Sequence, residues 1–170
     1  MLCFTITCSW HKLYITILRA LDTRVYLSPS FLMRKKKTLT RKDYVKQLDN
    51  IFSTYIRLRD SNKEGVVVCP LCWARVNWKQ AQNMHFITRW CWKYRYDEDN
   101  CHAGCMRCNV ILHGNYIIYT RWMQNNYWIK KVDEMIRNKT WIYKIPTPEL
   151  QSKIEYYTRR VEKLYKTKVL

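Results

Sequence analysis

A regular apolar pattern lies between residues 41 and 60, where apolar side chains recur every three or four positions among charged ones. The apolar positions are Tyr44, Leu48, Ile51, Phe52 and Tyr55. This spacing predicts one amphipathic helix over residues 41–60. Thr40 and Asp43 have the spacing of a capping box at its start, and the polar residues 62–65, which end in a glycine, predict its end.

After residue 65 the pattern changes to short runs of β-branched and aromatic residues, which favour strands. The predicted strands are Val66–Val68, Trp73–Trp78 and Met84–Ile87. Arg89–Tyr96 is predicted as a loop or a short strand, and Asp97–Asn100 as a turn.

Helical periodicity returns in the last third of the chain. A helix is predicted from Asn109, with Gly114 ending or bending it, and a longer helix over Tyr116–Ile136. Two prolines then break the pattern before a final amphipathic helix over Glu149–Lys166. The elements together predict an α+β fold, with helices on both sides of a small β region.

Two Cys-x-x-Cys pairs, Cys69/Cys72 and Cys105/Cys108, supply four thiolates, the ligand set of a tetrahedral structural zinc. The pairs are separated by 32 residues, whereas a zinc ribbon separates its pairs by about 15–20 residues. The longer gap predicts an inserted β-hairpin that carries His85. If one zinc holds both pairs, that hairpin folds back against the predicted helix.

The remaining cysteines, Cys3, Cys8, Cys91 and Cys101, show no pairing pattern. Cys101 and His102 lie close enough to the second pair to be alternative zinc ligands. A basic chain that binds nucleic acid works in a reducing compartment, where zinc is favoured over disulfides. Redox chemistry has little support, because redox Cys-x-x-Cys motifs occur singly in a βαβ context.

The 170-residue chain carries 31 Lys and Arg against 13 Asp and Glu, a formal net charge of +18. Such an excess favours a polyanionic partner, and nucleic acid is the usual one. Aromatic residues make up 15% of the chain, and exposed rings can stack on unpaired bases. Trp90, Trp92 and Tyr94 are the rings that we expect to hold such bases.

Residues 1–32 are apolar and aromatic, but polar residues interrupt them too often for a membrane span. They also lack the basic start and the small-residue cleavage site of a secretory signal. Met33 is followed by four basic residues, as at the start of a basic N-terminal arm. We predict that translation begins at Met33 and that residues 1–32 are a non-native extension from a misassigned start.

Asn109 and His113 are four residues apart, so on a helix they share one face. An amide oxygen and an imidazole nitrogen there can hold Mg²⁺ or Mn²⁺ and leave positions for water and phosphate. His85, which is not bound to that ion, is the candidate general base, because imidazole is mostly neutral near pH 7.

Each of these three residues also has a plain structural explanation. His85 can be a hydrogen-bonded strand residue, Asn109 a turn residue after the second cysteine pair, and His113 a cap at the helix end. Their joint spacing around a zinc site favours a nuclease over a plain zinc finger.

The order and spacing of these residues resemble a known protein family. The matching segments are Leu48–Asp60, Cys69/Cys72, Met84–Arg89, Asp99–Asn100, Cys105–Asn109 and His113–Asn115. They resemble the NinG/Rap recombination proteins of lambdoid phages over roughly residues 40–165.

The resemblance implies an HNH-type endonuclease, with a ββα-metal core on a treble-clef zinc scaffold between N- and C-terminal α-helices. It places His85 in the general-base position and Asn100 as the residue that ties the loop together. Asn109 and His113 match the two positions that bind the catalytic cation.

One departure concerns the residue directly before the base. Many HNH enzymes have an Asp or His metal ligand there, whereas this chain has Met84. The catalytic cation then lacks one ligand, and the alternatives that we leave open are Asn83, Asp97 and Asp99.

The resemblance implies metal-dependent cleavage of branched DNA, such as Holliday junctions and D-loops, during phage recombination in the bacterial cytoplasm. A symmetric junction favours a homodimer, since two cuts related by two-fold symmetry need two active sites. The alternative function is a non-catalytic zinc protein that binds nucleic acid. The expected segments are a basic arm and helix over 33–64, a zinc-bound nuclease core over 65–116 and basic aromatic helices over 117–170.

Overall fold

The computed structural model of the protein describes residues 38–168. The predictions made for residues 1–32, including Cys3 and Cys8, lie outside the described residues. From Leu39 onward the chain forms one unit that combines helices with two small antiparallel sheets, which confirms the α+β class. None of the helices that the structure describes is long and apolar enough to cross a membrane.

The first helix, α1 (Arg41–Arg59), ends within one residue of its predicted bound. Its predicted capping box is present, because Thr40 Oγ1 accepts from the N–H of Asp43 at 3.3 Å and the Asp43 carboxylate accepts from the N–H of Thr40 at 2.9 Å. At the other end, Lys168 Nζ donates to three carbonyl groups at and just after the helix terminus. A lysine at the end of the last helix therefore caps the C-terminus of the first helix.

Four short strands form two antiparallel pairs, β1 with β2 and β3 with β4. Their bounds are β1 (Val66–Val68), β2 (Arg75–Asn77), β3 (Gln82–His85) and β4 (Cys101–Gly104). The register of the second pair places His85 opposite Cys101. The strand predicted over Met84–Ile87 is shifted by two residues, because the N–H of Ile87 is bonded by the side chain of Asn100 rather than by strand backbone.

The chain after β4 departs most from the predicted helices. A π-helical segment, Arg107–Ile111, stands in place of the α-helix predicted from Asn109. The single helix predicted over Tyr116–Ile136 is wrong, because it is divided into α2 (Tyr116–Asn126) and α3 (Ile129–Arg137). The final helix, α4 (Thr147–Lys168), confirms the prediction and begins two residues earlier. A 3-10 turn, Asn138–Thr140, follows α3.

The break between α2 and α3 has a tertiary cause. Tyr127 adopts extended backbone angles, and its hydroxyl lies 2.9 Å from Nε2 of His102. His102 packs edge-on against the rings of Trp122 and Tyr127. This long-range contact overrides the local helical pattern, which the two asparagines before Tyr127 support only weakly.

Two apolar clusters hold the unit together. The first lies between α1, α4 and the first sheet, and includes Leu48, Phe52, Tyr55, Leu150 and Tyr157. The second surrounds the cysteine pairs, and includes Met84, Phe86, Tyr119, Met123 and Val132. Met84 is fully buried in the second cluster, whereas its strand neighbours Asn83 and His85 alternate to the opposite face of β3. That alternation positions the candidate active site.

Candidate metal centre and active-site cavity

The four predicted zinc ligands lie together, with the Sγ atoms of Cys69, Cys72, Cys105 and Cys108 all within 4.8 Å of one another. Zn–S bonds of about 2.3 Å in a tetrahedron place the sulfurs about 3.8 Å apart. The Sγ atoms of Cys72 and Cys105 are 3.5 Å apart. The group therefore fits a structural zinc.

Each cysteine pair is placed by a local turn. The first pair lies at the tip of the β1–β2 hairpin, where the N–H of Trp73 donates to the carbonyl of Cys69 at 2.9 Å. Trp73 has a φ of 62°, which closes this turn. The second pair lies where β4 enters the π-helical segment, and the N–H of Cys108 donates to Sγ of Cys105 at 3.4 Å.

The environment of the cysteines favours a bound cation. Burial raises the pKa of the Cys69 and Cys108 thiols, so that thiolates at these positions need a compensating positive charge. Gly104 leaves the room that the cluster needs, because a Cβ there would clash with the ε-methyl of Met84 and lie 3.3 Å from Sγ of Cys69.

Neither alternative ligand joins this group. Cys101 is fully buried in the first apolar cluster, away from the four sulfurs that the described residues bring together. His102 lies between two hydroxyls, with Nδ1 2.8 Å from Tyr119 and Nε2 2.9 Å from Tyr127. Burial lowers the pKa of His102 to about 4, so that it is neutral near pH 7.

His85 lies in a cavity of about 230 Å³. The polar and charged side chains that line this cavity are Asp49, Ser53, Gln82, Asn83, His85, Arg89, Arg95 and Asn109. The structure therefore brings together two of the predicted site residues, His85 and Asn109, with one of the three alternatives for the missing ligand, Asn83. We refer to this space as the His85 cavity.

The tautomer of His85 follows from its partner. Its Nε2 lies 3.2 Å from the carbonyl oxygen of Arg95. Because a carbonyl oxygen only accepts, Nε2 must carry the hydrogen, and the lone pair of the neutral ring is on Nδ1. Burial lowers the pKa of His85, the Arg95 carbonyl opposes this effect, and the positive charges of Arg95 and Arg89 add to it. The ring is thus held neutral, as a general base requires.

The Arg95 carbonyl is itself fixed by contacts of its own residue. Arg95 donates from Nε and an Nη nitrogen to the two carboxylate oxygens of Asp49 on α1, at 2.9 and 2.6 Å. Tyr96 donates to the same carboxylate at 2.9 Å. This bidentate pair ties the loop over residues 89–96 to α1, and so positions His85 indirectly.

Asn100 ties the same loop from its other side. Its side chain is fully buried, and Oδ1 accepts from the N–H of Ile87 at 2.6 Å. Its Nδ2 donates to the carbonyls of Ile87 and Tyr94, both at 2.9 Å. These three bonds are the loop-tying contacts that the resemblance implies for Asn100.

The three alternatives for the missing metal ligand occupy different surroundings. Asn83 lines the His85 cavity, and its Oδ1 is buried without a hydrogen-bond partner among the described residues. Asp97 lines a separate cavity, beside Trp92 and Tyr96. Asp99 forms an ion pair with Lys131. Of the three, Asn83 alone combines a place beside His85 with an unpaired oxygen.

The prediction that Asn109 and His113 share one helical face is wrong. The helical segment ends at Ile111, and His113 has a φ of 49° in the turn that follows. Asn109 lines the His85 cavity, whereas His113 is exposed and is not part of its lining. The physical reason is that backbone hydrogen bonds here span more residues than in an α-helix. The N–H of Leu112 donates to the carbonyl of Arg107, and the N–H of Gly114 donates to the carbonyl of Cys108.

The rings predicted to hold unpaired bases also differ from expectation. Tyr94 is buried in the second apolar cluster, so it offers no face to a base. Trp92 has the guanidinium groups of Arg41 and Arg95 over its ring, at 5.1 and 4.7 Å from the centroid. Trp90 is 79% exposed, and of the three only its ring is open to a partner.

Sequence reasoning missed the roles of Asp49 and Arg95. Their contact joins residues 46 positions apart, so no local spacing marks it. A weak signal exists for Asn83, because it is two residues before His85 and therefore on the same face of a strand.

Comparison with known proteins adds the family. The family model described as Bacteriophage Lambda NinG protein matches residues 29–167 of this 170-residue chain. No curated protein and no solved structure matches the chain. With the paired cysteines, His85, Asn100 and Asn109 all inside the matched region, the chain belongs to the NinG family of bacteriophage proteins.

Proposed function

We propose that this NinG-family protein is a metal-dependent endonuclease of the HNH type, which cleaves branched DNA such as Holliday junctions and D-loops. One observation carries the proposal: the His85 cavity combines a histidine held in one tautomer with three amide side chains and two arginines. A cavity of this composition suits the hydrolysis of a phosphodiester.

His85 is the general base in this proposal. Nδ1 of the neutral ring takes a proton from water, and the oxygen of that water adds to phosphorus while one P–O bond of the strand breaks. The sugar oxygen that leaves takes up a proton from solvent and becomes a hydroxyl group. The hydrogen bond from Nε2 to the Arg95 carbonyl keeps the ring oriented and becomes stronger as the ring gains charge.

Asn83 and Asn109 are the side chains that would hold the catalytic cation. Mg²⁺ and Mn²⁺ favour oxygen ligands and keep several waters, so that two protein oxygens and the phosphate are a sufficient set. The unpaired, buried Oδ1 of Asn83 supports this assignment. A divalent cation held there would stabilise the negative charge on the phosphate and on the leaving oxygen.

The phosphate itself is attracted by arginine. Arg89 is exposed at the cavity, and the guanidinium of Arg95 is paired with Asp49 in its wall. The chain as a whole carries a net charge of +18, which favours the approach of DNA.

The four cysteines form a structural zinc site in this proposal. One pair comes from a hairpin turn and the other from a strand-to-helix junction, as in a treble clef. Zinc there would fix β4 and the π-helical segment, and hence Asn109, against the hairpin.

The alternative is a zinc protein that binds nucleic acid without cutting it. The position of His113 favours this alternative, because the resemblance gives it a metal-binding role and the structure leaves it outside the His85 cavity.

Cleavage of a labelled four-way junction separates the two functions. The full chain, with its zinc content measured, is mixed with the junction or with a linear duplex of the same sequence, with and without Mg²⁺ or Mn²⁺. The proposal predicts cation-dependent nicking of the junction in preference to the duplex. Tight binding by zinc-loaded protein with no cleavage in either cation would establish the alternative.

A further inference from the structure

We propose that a second cavity beside the loop over residues 89–96 holds one unpaired nucleotide of the branched DNA, with its base stacked on Trp141. This inference rests on the proposed function for the identity of the DNA. The cavity, which we refer to as the ring pocket, has a volume of about 500 Å³ and is lined by Trp92, Tyr96, Trp141 and Tyr143, two lysines and two carboxylates. Its volume lies within the range of pockets that bind small organic groups, about 300–1,000 Å³.

Two of its rings are open to a partner. Trp141 is 58% exposed and Tyr143 is 42% exposed, and both belong to the segment between the 3-10 turn and α4. The other two rings are committed elsewhere, since Trp92 packs under guanidinium groups and Tyr96 donates to Asp49. Exposed rings in a concave surface of a strongly basic protein suit base stacking, which needs no particular sequence.

The charges in the ring pocket match a nucleotide rather than an apolar ligand. Lys93 Nζ lies over the Trp141 ring, 4.8 Å from its centroid, so a base that stacks on this face displaces the ammonium group, which then lies close enough to pair with the phosphate of the nucleotide. Lys153 is a second cation in the lining, 3.6 Å from Glu149.

The carboxylates in the lining add a preference among bases. Asp97 and Glu149 bring acceptor oxygens to the pocket. Carboxylates accept hydrogen bonds from the exocyclic amino groups of adenine, cytosine and guanine, and thymine has no such group. We therefore expect the pocket to disfavour thymine.

The ring pocket shares a loop with the candidate active site. Trp92, Lys93 and Tyr96 line the pocket, whereas Arg89 and Arg95 of the same loop line the His85 cavity. The contacts of Asp49 and Asn100 hold this loop in one conformation. A nucleotide held in the pocket would therefore place the strand that carries it in a fixed position relative to His85.

The test uses a duplex with one bulged 2-aminopurine, whose fluorescence falls when the base stacks on a ring. Binding to the full chain is measured without added Mg²⁺ or Mn²⁺, so that it does not depend on cleavage. We expect the wild type to quench the probe. We expect Trp141→Ala to weaken binding roughly five- to a hundredfold, the range that the loss of one stacked base produces, and to lose most of the quenching.

Three matched measurements make the result specific. Trp128→Ala removes a ring that is 86% exposed outside the pocket, and Ile142→Ala removes a neighbour of Trp141 that is 95% exposed. Both are expected to bind within twofold of the wild type. In competition against the 2-aminopurine duplex, a duplex with a bulged thymine is expected to bind more weakly than one with a bulged adenine or cytosine.

The outcomes separate this inference from the nuclease proposal. Unchanged quenching by folded Trp141→Ala would overturn the ring pocket, whether or not the protein cuts DNA. Quenching that is lost in Trp141→Ala and kept in His85→Ala would support the pocket, even if no cleavage is found. If free dAMP displaces the bulged duplex at concentrations near the duplex Kd, the pocket is a site for free nucleotides and the inference is wrong.

Discussion

Replacing Asn100 with alanine removes three hydrogen bonds at a fully buried position. The N–H of Ile87 and the carbonyls of Ile87 and Tyr94 then lose this partner. Each buried polar group without a partner costs about 1–3 kcal/mol, and carbonyl groups are the easier to satisfy in other ways. We therefore expect Asn100→Ala to lower the free energy of unfolding by roughly 3–5 kcal/mol, a large part of the about 5–15 kcal/mol that a domain has.

The assay is urea unfolding followed by tryptophan fluorescence, with zinc present at the same excess for each variant. Asn126→Ala is the matched control, because Asn126 is exposed and its amide donates to the carbonyl of Trp122 on its own helix. Its expected effect is within about 0.5 kcal/mol. A cost below about 1 kcal/mol for Asn100→Ala would refute the conclusion that these bonds hold the loop.

Asn100→Asp sharpens the same reasoning. The aspartate keeps an acceptor for the N–H of Ile87, but a carboxylate oxygen replaces the donating amide nitrogen and faces two carbonyl oxygens. We expect it to be no more stable than Asn100→Ala near pH 7, since like partial charges then face each other. A stability equal to that of the wild type would show that the donor bonds contribute little.

Three further predictions follow from other contacts. His102 binds a proton near pH 6.5 in the unfolded chain but only near pH 4 in the folded protein. The contribution of neutral His102 to the free energy of unfolding is therefore complete above about pH 7 and falls by roughly 3 kcal/mol as the pH is lowered to 4. Urea unfolding of the wild type and of His102→Gln across this pH range measures the difference. Cys108→Ser is expected to lose the bound zinc and to unfold in mild denaturant, whereas Cys91→Ser, which lies outside the four-sulfur group, keeps one zinc per chain by elemental analysis. Asp49→Asn weakens the hold on Arg95, and we expect junction cleavage to slow roughly ten- to a hundredfold with DNA binding nearly unchanged.

Each of these predictions has a contrary result. Parallel pH profiles for wild type and His102→Gln would show that the histidine does not titrate as described. A full zinc content in Cys108→Ser would exclude the four-cysteine site. A wild-type cleavage rate in Asp49→Asn would show that the contact between α1 and the loop does not position His85.

The elements that sequence reasoning predicted well are those whose signals are local. The capping box of Thr40 and Asp43 fixes the start of α1, and the apolar spacing of Leu150 to Leu164 fixes α4. The grouping of the four cysteines is predictable from their spacing, because two Cys-x-x-Cys motifs in one chain typically bind zinc. None of these signals depends on how distant segments pack.

The errors arose where distant contacts decide the local structure. His102 draws Tyr127 out of the helical pattern, and the side chain of Asn100 ends β3 early. The π-helical hydrogen bonds after Cys108 separate Asn109 from His113, although their spacing suits an α-helix. A pattern of single residues contains no information on such contacts, and for this reason the His85 cavity could be predicted only in part.

The assignment of ligands can be tested with two single variants. If Asn83 and Asn109 hold the catalytic cation, Asn109→Ala should lose Mn²⁺ binding measured by electron paramagnetic resonance, while His113→Ala, at an exposed position outside the His85 cavity, should keep it. Loss of Mn²⁺ binding in His113→Ala would show that His113 is a ligand of the catalytic cation and would contradict the assignment.

The central claim is that His85 acts as the base of a DNA nuclease, and the rate of junction cleavage by His85→Ala tests it most directly. The rate is measured under single-turnover conditions in Mg²⁺ or Mn²⁺, with zinc content and junction Kd determined on the same sample. We predict a loss of roughly 10²- to 10⁴-fold in rate, the usual contribution of a general base, with the Kd within a few-fold of the wild type. A cleavage rate equal to that of the wild type would contradict the claim.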